Sequence, residues 1–146
     1  MHSLGYNKLG SAGAAAVAEA LKANAVLSKL DTHSNKISGE AAQQLASAVL
    51  ASKSLEVLSE VPIKELRADS LTELDLRGKD LGSTEAMVIA ALIEGSAVLK
   101  SIDLSDNMLC GVDWEGYGTY DPSGIQALAA ALSSGSAVLT TLMCVF

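Results

Sequence analysis

The chain has 146 residues, enough for one domain with its own core and few for two. A composition 49% hydrophobic and 18% charged excludes a disordered chain, and a net charge of −7 argues against nucleic acid or an anionic membrane surface as partner, while leaving room for a basic one. No apolar run approaches the roughly 18 residues of a membrane span, and the run Ala14–Ala18 ends at Glu19 without the basic flank of a signal peptide.

In chain order, Leu4-x-x-Asn7-x-Leu9 leads into a helical pattern over Gly13–Ala23, with Ser11 in place to cap it. Leu27-x-x-Leu30-x-Thr32-x-x-Asn35-x-Ile37 reads as a strand and its exit turn. Ser38 then precedes a helix over Gly39–Ala51, in which Ala42, Leu45, Ala46 and Val49 recur at the spacing of one packed face. Leu55-Glu56-Val57-Leu58 starts another strand, but Pro62 disfavours helix at Val61, and Val61–Ser70 reads as a short connection in place of a helix. Leu71-x-x-Leu74-x-Leu76-x-x-Lys79-x-Leu81 is the next strand, with Lys79 where Asn stood before; Ser83 and a helix over Glu85–Glu94 follow. Leu99-x-x-Ile102-x-Leu104-x-x-Asn107-x-Leu109 fits the template completely, Gly111–Pro122 is an insertion, Gly124–Ser133 is helical, and Leu139-x-x-Leu142 opens a last strand.

The spacing is regular. Leu27 to Leu55 and Leu71 to Leu99 are equal intervals of about 28 residues, a repeat period in the range of a strand–helix unit. Leu99 to Leu139 exceeds that period by the length of the insertion, and Leu55 to Leu71 is little more than half of it. A strand–turn–helix unit cannot bury its apolar face alone, so such units stack, leucines inward and the Asn side chain bonding backbone that the turn leaves unpaired. The pattern resembles the ribonuclease-inhibitor-like subfamily of leucine-rich repeats, most closely at Leu99–Leu109 and Gly124–Leu132, across nearly the whole chain. The resemblance implies an α/β solenoid, a horseshoe arc with parallel strands on the concave face and helices on the convex face. It also implies protein recognition without one shared activity; the subfamily includes ribonuclease inhibitors, a Ran GTPase-activating protein and sensor regions of immune receptors. The whole of 1–146 reads as one such domain, with an irregular connection at 56–70, a rim insertion at 111–122, and incomplete units at both ends. The short unit reads either as a degenerate repeat that shifts curvature, the favoured alternative, or as a hinge between two arrays.

Strand alternation turns Lys29, Asp31 and His33, then Glu73, Asp75 and Arg77, then Ser101, Asp103 and Ser105 outward. Asp31, Asp75 and Asp103 share one template place and form a broken acidic column, a feature either of the family's habit or of recognition of a basic protein. Lys29 and Arg77 are the cations available to offset it internally. Trp114, Tyr117 and Tyr120 fall in the insertion; aromatics there either anchor a partner or fold back over the helices.

Catalysis is not expected. His33 and Asp31 share a strand face, but no nucleophile with an oxyanion site accompanies them. The two histidines and two cysteines lack metal-ligand spacing, Gly10-Ser11-Ala12-Gly13 is no phosphate loop, and no cofactor is implied. Cys110 and Cys144 read as inward-packing thiols of an intracellular, cytoplasmic protein. The expectation is a non-enzymatic protein-binding module using the strand face and the aromatic loop. The alternatives are an architectural segment that stacks through its ends on itself or on an assembly and, less favoured, a GTPase-activator-like regulator, whose loops find no residue-by-residue match.

Overall fold

A computed structural model describes residues 2–134 and 138–144. Among them the order is β1 (His2–Ser3), α1 (Gly10–Ala23), β2 (Lys29–Asp31), α2 (Gly39–Ala51), β3 (Val57–Leu58), β4 (Val61–Pro62), α3 (Ile63–Arg67), β5 (Glu73–Asp75), α4 (Ser83–Ile93), β6 (Ser101–Asp103), α5 (Ser123–Ser133) and β7 (Thr141–Met143). The fold is mixed α/β. The alternation expected of the strands is present: Leu30, Leu74 and Ile102 are buried while their neighbours on either side are not. These side chains share one apolar cluster with Leu45 and Val49 of α2, Ile89 and Ile93 of α4, and Leu128 of α5.

The parallel pairs place His2 against Leu30, Lys29 against Val57 and Glu73 against Ser101, each partner one repeat period further along the chain. Ser101 stands against Thr141, so the lengthened interval keeps strand register and expels its extra length as a loop. Strand pairing is neither continuous nor wholly parallel, contrary to expectation. β1–β4 form one sheet and β5–β7 another, and β3 and β4 are an antiparallel hairpin turned at Ser59 and Glu60.

That hairpin fills the shortened interval. Val61–Ser70, expected to be an irregular connection, instead adds a strand pair and the five-residue helix α3. Pro62 stands at the N-cap of α3, where a missing N–H costs nothing because the first turn has no helical acceptors. Arg67 at the other end donates from Nη2 to the Val49 and Leu50 carbonyls and from Nη1 to Leu55 O, closing the C-terminus of α2. With so short a helix between them, α4 packs on α2 directly, as well as on α5.

The serine caps are not used as expected. Ser11 lies inside α1, and Ser38, although at the N-cap of α2, makes no side-chain cap bond. Ser83 is the first residue of α4 and turns its hydroxyl to Leu109 O and Asp121 O. α4 is capped by Glu85 instead, whose Oε2 accepts from Gly82 N at 3.0 Å.

The asparagines behave as the template requires. Asn35 Oδ1 accepts from Asn7 N and Leu9 N, while its Nδ2 donates to Leu4 O, Thr32 O and His33 O. Asn107 repeats the set with Lys79 N, Leu81 N, Leu76 O, Leu104 O and Ser105 O. Each asparagine therefore ties its own exit turn to the one before it. Lys79, in the same template place, follows a hairpin that has no such turn to bind, and it is exposed.

Candidate binding surface

The residues expected to face outward from the strands divide by burial. Lys29, Glu73, Asp75 and Arg77 are exposed, whereas Asp31, His33 and Asp103 are half-buried. Ser105 is 6% exposed, so its expected outward place is corrected. The strand ends at Asp103, and from there the chain bends into its turn, where Asp103 Oδ1 accepts from Ser105 N at 2.9 Å. Strand alternation no longer applies two residues past the strand.

The same bend recurs. Asp31 Oδ1 accepts from His33 N and Asp75 Oδ1 from Arg77 N, so all three aspartates close the turn after their own strand. This is a structural reason for Asp at that template place. Asp75 and Asp103 are register partners, but Asp31 lies in the other sheet, so the column reduces to one like-charged pair. Arg77 offsets that pair. Its Nε donates to Asp106 Oδ2 at 2.8 Å, and Asp106 foremost, then Asp103 and Asp75, hold the guanidinium above its ordinary pKa. The Ser105 hydroxyl and amide, with Arg77 behind them, hold the Asp103 carboxyl below its ordinary value. Lys29 makes no ion pair among the described residues.

His33 Nδ1 is paired with Asp31 Oδ1, and the ring packs edge-on to Tyr6 at 4.9 Å between centroids. Gly5 lies beneath it, and a Cβ there would stand 2.8 Å from His33 Cε1 and make the ring shift. The Tyr6 hydroxyl donates across the gap between the sheets to Asp80.

The insertion carries its aromatics outward: Trp114 is 83%, Tyr117 71% and Tyr120 68% exposed. Its backbone is nevertheless tied down. Val112 bridges Gly118, and Asp113 Oδ1 accepts from both Glu115 N and Tyr117 N. Gly118 has φ 129°, and a Cβ on it would lie 2.1 Å from Gly111 O, so only glycine allows this crossing.

Asp121 secures the far end of the loop. It is 6% exposed; Oδ1 accepts from Ser123 N and Oγ, and Oδ2 accepts at 2.8 Å from Gly39 N, the first residue of α2. Burial pushes this carboxyl up, but the hydrogen bonds from Ser123, Gly39 and Ser83 outweigh it and hold it below its ordinary value.

Beside the loop lies a cavity of about 270 Å³, walled by the exit turn 32–38 of β2, by Asp80 and Gly82–Glu85, and by Gly111, Asp113 and Tyr117–Thr119. It occupies the place where the hairpin supplies no exit turn. At its edge Glu85, 3% exposed, accepts through Oε1 from Thr32 Oγ1 and Ser59 Oγ, joining α4 to turns of the β1–β4 sheet. Nothing in the sequence singles out Asp121, Glu85 or Tyr6 for these roles. Asp121-Pro122-Ser123 and Gly82-Ser83-Thr84-Glu85 carry helix-start signals, but their bonds across the gap have no local signature.

Among the described residues no group of three or more His, Cys, Asp or Glu is placed to hold a metal ion, and no helix is long and apolar enough to cross a membrane. Cys144 is exposed rather than packed inward, following β7 at the edge of its sheet; Cys110 is half-buried, and burial pushes its thiol up. No protein-family model matches the chain, and no curated protein matches it either.

Proposed function

We propose that the chain is a leucine-rich-repeat solenoid of the ribonuclease-inhibitor-like kind that binds a protein partner without catalysis. Its chief contact is the aromatic loop, with the strand face as a second. The observation that carries this reading is the combination at Trp114, Tyr117 and Tyr120: large rings in solvent on a backbone fixed by the Val112–Gly118 bridge, Asp113 and Asp121. Exposed aromatics are unfavourable for solubility, and on a mobile loop they would lose entropy on binding. Fixed in place, they bury area with few torsions to freeze. The strand face contributes less, because its aspartates are already engaged in turns and in the Arg77 cluster. The repeat reading is supported by the one-period register of the strand pairs and by the matching bond sets of Asn35 and Asn107.

The test is affinity capture by the wild type and by a triple variant, Trp114→Ala, Tyr117→Ala and Tyr120→Ala, with matched melting curves. Loss of a partner at unchanged stability is the expected outcome. Identical partners captured by both proteins sink the reading. A second reading, an architectural segment that stacks through an end, is favoured by β7, which among the described residues pairs only with β6 and leaves Met143 41% exposed. Met143→Lys, silent toward a loop partner, reduces self-association in that case.

A further inference from the structure

The cavity beside the loop is lined by backbone donors that have lost their usual partner. At two places in the chain an exit turn is followed by another. In the first, Tyr6 N donates to His33 O, and Asn7 N and Leu9 N donate to Asn35 Oδ1. In the second, Gly78 N donates to Ser105 O, and Lys79 N and Leu81 N donate to Asn107 Oδ1. The counterparts in the turn after β2 are the N–H groups of Ser34, Asn35 and Ile37, and none has a hydrogen-bond partner among the described residues.

Their direction follows from the backbone. Tyr6, Ser34 and Gly78 have φ of 60°, 57° and 63°, and Lys8, Lys36 and Asp80 have 53°, 54° and 53°. Three turns with the same left-handed residues at the same places send their N–H groups the same way, toward the following turn. After β2 that position is the cavity, which Ser34, Asn35 and Ile37 all line. The acceptor of the set is there too. Leu4 O and Leu76 O each receive the amide of the following asparagine, and their counterpart Thr32 O receives only its own turn's Asn35.

We propose that this cavity is a subsite for a primary carboxamide, presented as an asparagine side chain on an extended segment of the partner protein. The amide oxygen accepts from Asn35 N and Ile37 N, and the amide nitrogen donates to Thr32 O, as the chain's own asparagines do at the two complete junctions. Charge selects the amide over a carboxylate, because Asp80, Glu85 and Asp113 line the same space, and against them stand only Lys36 and the His33 ring, which is paired with Asp31. The surroundings are polar enough to suit it: Thr84 also lines the cavity, and its Oγ1 is a buried side-chain oxygen without a hydrogen-bond partner. The partner-segment source rests on the protein-recognition reading above, since Tyr117–Thr119 of the aromatic loop form one wall.

The experiment titrates the ¹⁵N-labelled full chain with N-acetyl-asparagine-methylamide and, in parallel, with the aspartate and alanine analogues and with acetamide. A probe this small is expected to bind in roughly the millimolar range. The expected result is saturable shifts of the Ser34, Asn35 and Ile37 amide peaks with the asparagine probe and at least roughly tenfold weaker effects with the aspartate and alanine probes. Absence of those shifts, or equal response to aspartate or alanine, overturns the subsite. Equal occupancy by acetamide supports the carboxamide but transfers its source from a peptide to a free small molecule. The two readings fail separately: silent titrations with loop variants still losing a partner reject only the subsite, whereas unchanged capture rejects only the loop.

Discussion

Asp121 joins the aromatic loop to a helix 82 residues away in sequence, and its removal tests whether that joint stabilises the fold. Asp121→Ala deletes the acceptor for Gly39 N at the N-terminus of α2 and the acceptor for Ser123 at the start of α5. Losing a helix cap costs about 0.5–2 kcal/mol, and a bond to a charged acceptor is worth about 1.5–3 kcal/mol, so the two ends together amount to about 2–5 kcal/mol. Against a total of about 5–15 kcal/mol this lowers Tm by roughly 5–20 °C. Asp121→Asn keeps one acceptor and loses about half as much. The pH dependence has a definite sign. The carboxyl is held below its ordinary value of 3.8, so its stabilisation is fully present above that value and is lost as pH falls through the lower folded value. The gap between wild type and Asp121→Ala therefore narrows in acid. Urea melts at neutral and acid pH, with hydrogen exchange at the Gly39 amide, measure it. A variant within about 0.5 kcal/mol of wild type, or unchanged Gly39 exchange, refutes the reasoning.

Asn107→Ala strands five backbone groups and is expected to cost about 3–5 kcal/mol in chemical denaturation, while Lys79→Ala, in the same template place but with no turn beneath it, stays within about 0.5 kcal/mol. Comparable losses from the two would show that the asparagine place matters for some reason other than tying turns together. Thr84→Val replaces a buried, unpartnered hydroxyl with a methyl of similar size and should raise stability by about 1 kcal/mol. A fall in the melting midpoint would mean that Oγ1 has a partner in solution.

The helices and strand positions are legible in the sequence because each rests on local periodicity: α2 runs over Gly39–Ala51 as its apolar spacing requires. The inward asparagines are legible for the same reason, as their role is fixed by template place. The gap is legible only as a short interval. That the stretch between Leu55 and Leu71 holds a hairpin and a helix starting after Pro62 depends on α2 offering its C-terminal carbonyls to Arg67, a contact no window of sequence contains. Ser105 departs from expectation because alternation does not carry two residues past the end of a three-residue strand. The exposure of Trp114, Tyr117 and Tyr120 is one of two alternatives the sequence leaves open, and it is set by Gly111 and Gly118 crossing at a distance no side chain tolerates.

The irregular features of this chain have one origin. The shortened unit before Leu71 has room for a strand and a short helix but not for an exit turn, so the turn after β2 meets no successor. Lys79 stands at the place that Asn35 and Asn107 hold after their own strands, with no preceding exit turn to tie. Glu85, at the start of α4, lines the space and takes up Thr32 and Ser59, while Asp121, before α5, takes up Gly39 outside it. They satisfy the hydroxyls and the helix end but not the amides of Ser34, Asn35 and Ile37. Asn35 is buried and Ser34 and Ile37 half-buried, and all three line the cavity, where a donor left without a partner costs stability. Here the longest insertion in the chain walls the space instead of filling it, and holds three aromatic rings in solvent beside the opening.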